Sequence, residues 1–282
     1  MHLLLKAEKG NTSMKKHTII THPGSAHFDE VTAISLILAV HSNISFNIER
    51  REPLPSEMDD PEIWVVDIGN RHEPEKLNFD HHQDMNCPAA FVLVADHLDL
   101  TETLSALPWW HFKDEVDRFG PVRSALKYNA GDDLVNKNPM EMWLTSRFAN
   151  NPEPSQSMLK SFGNQIIGDA HMLKKQLDFW KNSRRLVIAG VQAMVGETKE
   201  SAGLDEFRRI EKNPPDIVIS LDRRGEGWRL FRFDGAPVDF SLIIGHPDIR
   251  FAHKSGFQAT TWKRLPLDDI ISLVSRAVIP RK

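Results

Sequence analysis

The chain has 282 residues, 40% of them hydrophobic, and a formal net charge of −4 at pH 7. This length provides for one large domain or two ordinary domains with substantial cores. Because the slight acidity gives no overall attraction to a polyanion, long duplex nucleic acid is excluded as an expected ligand, and short strands would need local capture. The single cysteine, Cys87, excludes an internal disulfide and favours a reducing cytoplasm.

The start of the chain shows no targeting or membrane segment. No apolar run reaches the ~20 residues that span a bilayer, so no membrane partner is expected. The opening run Met1–Leu5 is too short for the apolar core of a signal peptide. Met14 stands directly before Lys15 and is an alternative start, and we predict that residues 1–13 form a disordered lead.

In the first half of the chain, short apolar strands alternate with helical stretches and turn residues. Asp29 or its neighbours are expected to cap the first helix. The alternation predicts a mostly parallel sheet with ligands at its carboxyl edge. The predicted elements are strands at His17–Thr21, Ile44–Ile48 and Ile63–Asp67, an extended segment at Leu77–Asp80, and helices at Val31–Val40 and Pro88–Leu98.

The second half begins with a long helix. Apolar residues at three- and four-residue steps predict one amphipathic helix over Ser155–Trp180 that connects two domains. Gly225–Gly227 is expected to turn the last two strands into a hairpin. We therefore predict an N-terminal α/β domain over residues 14–183 and a smaller α/β domain over residues 184–282. The strands predicted after the helix are Leu186–Val191, Ile217–Leu221 and Trp228–Phe233.

Three polar clusters lie just past predicted strands. Taken singly, His22 or Asp29 would more often be a turn residue or a helix cap, and Asp67 a turn residue. Adjacent histidines flanked by an acid have little structural use in a strand-end loop. Because loops at the carboxyl ends of parallel strands converge, the clusters are expected to share one pocket. The clusters are His22–Glu30, Asp67–Gly69 and Asp80–Gln83.

The residue types of these clusters indicate a two-metal site. The candidate ligands are too many for one tetrahedral zinc but suit two adjacent cations bridged by a carboxylate, for which Asp67 is the obvious choice. Such a pair activates water and neutralises charge on phosphoryl oxygens, as phosphoester hydrolysis requires. The imidazoles favour Mn²⁺, with Mg²⁺, Co²⁺, Fe²⁺ and Zn²⁺ as alternatives. The candidate ligands are His22, His27, Asp29, Asp67, His81 and a later aspartate.

In this order, the motifs resemble the DHH phosphoesterase superfamily, whose name is the Asp-His-His found here at Asp80–His82. More narrowly, they resemble its MYG-type branch of metal-dependent hydrolases. One departure is His27, which stands where many members of the superfamily have an acid. The matching segments are Thr21–Glu30, Val66–Gly69, Asp80–Gln83 and the late segment Phe251–Phe257.

The resemblance implies two sets of metal ligands that share an aspartate. The first set is His22, His27 and Asp67. The second set is Asp29, Asp67, His81 and an aspartate of the fourth motif.

For that last ligand the resemblance favours Asp117, within a Glu-Val-Asp run, and Asp114 is the alternative. By the same resemblance, His82 would face the substrate phosphate and donate a hydrogen bond or proton, and Asp80 would orient the histidines.

The late segment predicts substrate contacts in the second domain. Arg250–Phe257 alternates apolar residues with phosphate-binding types, and Gly256 would let backbone amides approach an anion. Trp109–Trp110, near the fourth motif, is either core or a platform for a base. The predicted substrate-binding side chains are His253, Lys254 and Ser255.

By the resemblance, the expected activity is that of a 3′→5′ exoribonuclease that acts on short or single-stranded RNA and releases mononucleotides. The alternatives are a hydrolase of a small phosphoanhydride, cyclic dinucleotide or other small phosphodiester, and a metal- or nucleotide-binding module without turnover. A protease has the least support, because the sequence has no HExxH motif and no recognisable nucleophile setting.

Overall fold

The computed structural model describes residues 16–129, 138–201 and 203–280. The prediction for residues 1–13 lies outside this range. The chain divides into two compact units, one ending at Ala170 and the other beginning at His171. No helix in the described parts of the chain combines the length and apolarity needed to cross a membrane.

The N-terminal unit is built on a five-stranded sheet in the order β2-β1-β3-β5-β4. Strands β2, β1, β3 and β5 run parallel, and only β4 at the edge is antiparallel. The predicted mostly parallel sheet is therefore confirmed for this unit. The strands are β1 (Lys16–Thr21), β2 (Ser45–Arg50), β3 (Ile63–Val66), β4 (His72–Glu73) and β5 (Asn78–Phe79).

Helices cover this sheet, and the first of them is buried along almost its whole length. Every residue of helix α1 from Asp29 to Ala39 is buried, which agrees with its apolar composition on all sides. The helices that precede the long connecting helix are α1 (Phe28–Val40), α2 (Ala90–His97), α3 (Thr101–Leu104), α4 (Trp110–Phe119), α5 (Pro121–Tyr128) and α6 (Pro139–Asn150).

The predicted long helix is present as α7, which runs from Pro152 to Lys181. The boundary between the two units falls inside it. Gly163 of α7 lies against α1 so closely that a Cβ atom there would be 2.0 Å from the carbonyl oxygen of Ser35. A glycine is therefore required where these two helices touch.

The C-terminal unit is built on a six-stranded sheet in the order β10-β11-β9-β8-β7-β6. It is mainly antiparallel, and only β7 and β8 run parallel. Helices α8 (Leu204–Ile210) and α9 (Leu267–Ala277) belong to this unit. The strands are β6 (Arg184–Ile188), β7 (Val191–Gly196), β8 (Ile217–Leu221), β9 (Trp228–Arg232), β10 (Ile249–Ala252) and β11 (Gln258–Thr261).

One predicted strand of this unit is wrong in its extent. The apolar pattern predicts a single strand over Leu186–Val191, whereas the structure has a tight hairpin that joins β6 to β7. Ala189 and Gly190 both have positive φ angles, 49° and 85°, as the two central residues of a type I′ turn require. The apolar run continues across this turn, so periodicity alone hid it.

Candidate metal centre

The three polar clusters meet at the carboxyl edge of the N-terminal sheet. His22 follows β1, Asp67 follows β3 and Asp80 follows β5, and these strands are neighbours in the sheet. Parallel strands bring their following loops to one edge. The residues that the sequence singled out are thus in contact across long separations in the chain.

Asp67 stands at the centre of the cluster, and its side chain is only 3% exposed. Its Oδ2 atom lies 3.6 Å from Nε2 of His22, and its Oδ1 atom lies 3.3 Å from Nε2 of His81. The backbone at Asp67 is left-handed, with φ of 58°, a conformation that aspartate and asparagine tolerate better than most residues. The two carboxylate oxygens therefore face two different groups of side chains.

The first group surrounds His22. Its potential ligand atoms lie within 4.8 Å of one another, as close as those of a metal site. His27 is exposed, and its ring centroid lies 5.1 Å from that of His22. The members of the group are His22, His27, Glu30 and Asp67.

Glu30 belongs to this group although the sequence analysis did not select it. Its fully buried carboxylate lies 3.2 Å from Nε2 of His22 and accepts the backbone N–H of His27 at 2.8 Å. The contact with Glu30 is the main reason that the pKa of His22 is raised to about 9. The signal in the sequence was a glutamate three residues after the helix cap, and that spacing is typical of a capping box.

Arg50, at the end of β2, supports this first group from behind. Its guanidinium donates to the carbonyl oxygens of Gly24 and Ser25 at 2.9 and 3.0 Å. The same guanidinium lies 3.7 Å from the Glu30 carboxylate. Arg50 therefore fixes the loop that carries His22 and His27 and offsets the buried negative charge behind it.

The second group surrounds His81, whose Nε2 atom lies 3.4 Å from Asp29, 3.3 Å from Asp67 and 3.1 Å from Asp117. Burial disfavours a charged ring, but the three carboxylates outweigh it and raise the pKa of His81 to about 12. Burial and the nearby carboxylates of Asp67 and Asp117 also raise the pKa of Asp29. Three carboxylates packed this closely would be stabilised by a bound cation.

The expectation that Asp29 or one of its neighbours caps α1 is met by a neighbour and not by Asp29 itself. The residue at the N-cap of α1 is His27. The Asp29 carboxylate instead accepts the backbone N–H groups of Ala90 and Phe91 at 2.8 and 2.6 Å, at the start of α2. It therefore joins two helices and still faces His81.

The two candidates for the fourth-motif aspartate occupy different surroundings. Asp117 faces His81, as described above. Asp114 accepts the backbone N–H of Ala89 at 2.8 Å and pairs with Arg118 at 3.2 Å. Asp114 thus supports the start of α2, and Asp117 is the aspartate that the structure brings to the cluster.

His82 and Asp80 stand beside the two groups. Asp80 is 1% exposed, and its carboxylate lies 2.6 Å from Nδ1 of His82. Burial favours the neutral acid, but hydrogen bonds from the His82 ring and from the Asn70 and His82 amides outweigh it and lower the pKa of Asp80. The His82 side chain is 59% exposed. Asp80 therefore orients an imidazole whose Nε2 edge is open to a ligand.

The donor set fits divalent cations. Nε2 of His22, Nε2 of His81 and Oδ1 of Asp67 are buried, and none of them has a well-aligned hydrogen-bond partner within the described ranges. Buried polar atoms usually have such a partner. Imidazole nitrogens and carboxylate oxygens together suit Mn²⁺ and related ions.

A cavity of about 450 Å³ adjoins the cluster on its helical side. It is lined by His27, Asp67, His82 and Asp117 and by further residues of α4 and α6. It is large enough for a substrate, since ligand pockets are commonly ~300–1,000 Å³.

The predicted substrate residues of the C-terminal unit do not all face one cavity. His253 lines a cavity of about 520 Å³ together with Arg229 and Arg250, whereas Lys254 and Ser255 are exposed and do not border it. The N–H of Gly256 donates to the carbonyl of His253 at 2.9 Å, and the role of Gly256 in anion binding stays a prediction. A glycine is required at this position because a Cβ atom there would lie 1.9 Å from Asp239.

The tryptophan pair is divided between the two predicted roles. Trp110 is 1% exposed and belongs to the core, so it cannot stack on a ligand. Trp109 is half-buried and lines an apolar groove.

Part of the chain matches a known protein family. Residues 18–113 match the family MYG1_exonuc, described as an uncharacterised protein family (UPF0160). The matched range includes both groups of potential metal ligands except Asp117. The match agrees with the resemblance inferred from the motifs and covers about a third of the chain.

A comparison with curated proteins gave no match. Among solved structures, RecJ from Thermus thermophilus with Mg²⁺ aligns with a TM-score of 0.28 and 11% identity over 92% of this chain and 49% of that chain. The same protein with Mn²⁺ aligns with a TM-score of 0.26 and 11% identity over 93% and 53%. This chain therefore spans about half the length of those RecJ chains.

Exonuclease RecJ bound to manganese aligns with a TM-score of 0.30 and 12% identity, over 92% of this chain and 89% of that chain.

Proposed function

We propose that this chain is a divalent-metal-dependent phosphodiesterase. The proposal starts from the match of residues 18–113 to the MYG1_exonuc family. In its specific form, the proposal is a 3′→5′ exoribonuclease that acts on short or single-stranded RNA. We place it in the cytoplasm, a setting that suits the free thiol of Cys87.

The observation that carries the proposal is the position of Asp67 between two groups of potential ligands. One carboxylate oxygen faces His22 and the other faces His81. A carboxylate shared in this way is the usual bridge of a two-metal phosphoesterase, where the cations are ~3.5–4 Å apart.

The proposed ligand sets follow from the two groups and overlap at Asp67. When bound, the cations would supply an activated water and charge neutralisation at the phosphoryl oxygens; we expect Mn²⁺ to serve best. The first set is His22, His27 and Asp67, and the second set is Asp29, Asp67, His81 and Asp117.

His82 is the proposed catalytic residue. Its Nδ1 atom is held by Asp80, so its Nε2 atom is free to donate a hydrogen bond or a proton to the substrate phosphate. Asp80 is then a positioning residue, since a carboxylate behind an imidazole fixes the orientation and the tautomer of the ring.

The C-terminal unit is proposed to bind the substrate. His253 borders a cavity that is also lined by Lys199, Arg223, Arg224, Arg229 and Arg250, and among the described residues Asp222 is its one lining carboxylate. A local excess of arginine and lysine suits phosphate groups. Local capture of this kind is consistent with short substrates for a chain of net charge −4.

The test uses an oligoribonucleotide labelled at its 5′ end and protein stripped of metal, with and without added Mn²⁺. We expect manganese-dependent shortening from the 3′ end, visible as a ladder of labelled products. Asp67→Asn and His82→Ala should abolish it or reduce it severely, because they remove the shared ligand and the proposed proton donor.

His72→Ala is a matched control, because this exposed histidine lies in the edge strand β4 outside both ligand groups. It should retain full activity. Equal rates in wild type, Asp67→Asn and His82→Ala would overturn the catalytic assignment. Hydrolysis of pyrophosphate or a cyclic dinucleotide without any action on RNA would replace the proposed substrate with a small phosphoester.

A further inference from the structure

Beside the metal centre, the N-terminal unit has a second cavity of a different character. It has a volume of about 490 Å³, and most of its walls are apolar. We refer to it as the aromatic groove. Its aromatic lining residues are Phe28, Trp109, Trp143 and Phe162.

The aromatic groove is continuous with the cavity at the metal centre. The two cavities share the lining residues Phe28, Lys113, Asn138 and Glu141. Lys113 forms an ion pair with Glu141, and its Nζ atom lies 4.8 Å from the centroid of the Phe28 ring. A cation therefore stands at the junction between the cavity at the metal centre and an apolar one.

The walls of the groove suit a flat heteroaromatic ring. Phe28 packs edge-on against Trp109 with ring centroids 5.5 Å apart. Trp143 is 53% exposed, and no other ring of the described residues packs against its indole. Polar groups of Asn138, Gln165 and Asp169 also border the groove. Apolar walls with a few hydrogen-bonding groups are typical of small-molecule sites.

We propose that the aromatic groove binds a nucleobase of the substrate, namely the base of the nucleotide whose phosphate lies at the metal centre. Trp143 supplies an open ring face for stacking. Lys113, at the junction of the two cavities, contacts the phosphate of the same nucleotide. The polar border favours a base over an aliphatic chain, because a base has donors and acceptors along its edge. This inference rests on the proposed function, since it takes the substrate to be a nucleotide.

The experiment compares AMP with ribose 5-phosphate, which has the same phosphate and sugar but no base. Both are titrated calorimetrically into Mn²⁺-loaded protein. We expect wild type to bind AMP at least tenfold more tightly than ribose 5-phosphate. Trp143→Ala should weaken AMP binding about tenfold, because base stacking on an aromatic ring is worth roughly that factor or more. Binding of ribose 5-phosphate should not change.

Two further variants make the result specific. Trp143→Phe retains a ring and should restore most of the AMP affinity. Trp262→Ala removes a tryptophan of similar exposure, 61%, from the C-terminal unit and should bind AMP as wild type does. Equal affinity of wild type for AMP and ribose 5-phosphate would overturn the inference. An equal loss of affinity for both ligands in Trp143→Ala would also overturn it.

The failure of this inference is distinguishable from the failure of the proposed function. If the protein shortens RNA but binds AMP and ribose 5-phosphate equally, the aromatic groove is not a base site and the exonuclease proposal stands. If it prefers AMP through Trp143 but does not act on RNA, the base site stands and the reaction is wrong.

Discussion

The guanidinium of Arg50 lies 3.7 Å from the carboxylate of Glu30, and the two side chains are 7% and 0% exposed. Such a pair is costly to break, because removal of one partner leaves the other as an uncompensated buried charge. Since Glu30 also contacts His22 and the amide of His27, a structural ion pair and one half of the candidate metal centre share the same atoms.

We therefore predict that Arg50→Met and Glu30→Gln weaken Mn²⁺ binding about 10–100-fold, the usual effect of losing a group that orients metal ligands. Titration calorimetry measures the affinity and the number of sites. Arg51→Met is the matched control, because this neighbouring residue pairs with Glu49 and Glu57 near the surface. Metal affinity within twofold of wild type in both test variants would show that the pair serves stability alone.

The two aspartates of the fourth motif should separate metal binding from stability. We predict that Asp117→Ala binds one cation fewer than wild type after dialysis, because it removes a proposed ligand beside His81. Asp114→Ala should keep the full number of cations and lose about 1 kcal/mol of stability, because it removes the acceptor for the Ala89 amide at the start of α2. Metal analysis counts the bound cations of each variant, and thermal unfolding measures its stability. Loss of a cation in Asp114→Ala but not in Asp117→Ala would exchange the two roles.

The His41 ring predicts a specific acid sensitivity. Burial and the nearby rings of His97 and His17 lower the pKa of His41 below its usual value of 6.5. As the pH falls, the His41 ring is therefore protonated in the unfolded chain before it is protonated in the folded protein. The contribution to stability is present above about pH 6.5 and is lost as the pH falls below it. We expect the Tm of His41→Gln to fall less than that of wild type between pH 7.5 and 5.5.

His111→Gln, which changes an exposed histidine, should keep the wild-type dependence of Tm on pH. A His41→Gln profile parallel to that of wild type would contradict this prediction.

The contact between α1 and α7 predicts opposite effects for two glycines of the same helix. Gly163→Ala should destabilise the protein by roughly 1–3 kcal/mol, because its Cβ atom would collide with the carbonyl of Ser35. At Gly168, by contrast, a Cβ atom would meet no described atom within 4 Å, so Gly168→Ala should stabilise by up to about 1 kcal/mol through helix propensity. Urea unfolding measures the free energy of unfolding of both variants. A Gly163→Ala protein as stable as wild type would refute the close contact.

The positions of the clusters at strand ends could be predicted because parallel strands place their following loops together, and Asp67 and His81 indeed meet. Other features depend on contacts that no local pattern contains. Asp29 caps a helix more than sixty residues away, and the role of Glu30 depends on Arg50 at the end of strand β2. The turn at Ala189 was missed because an apolar run continues through it.

The left-handed backbone at Asp67 has a consequence for detecting inactive forms of the protein. Asparagine adopts this conformation as readily as aspartate does, whereas a glutamate would keep the charge but strain the main chain. A replacement by asparagine therefore leaves the fold intact while it removes the negative charge between the two ligand groups. Such a protein would have the Tm of the wild type in the absence of metal and would differ from it only in the number of cations it binds. A normal Tm alone is therefore no proof that the metal centre is intact.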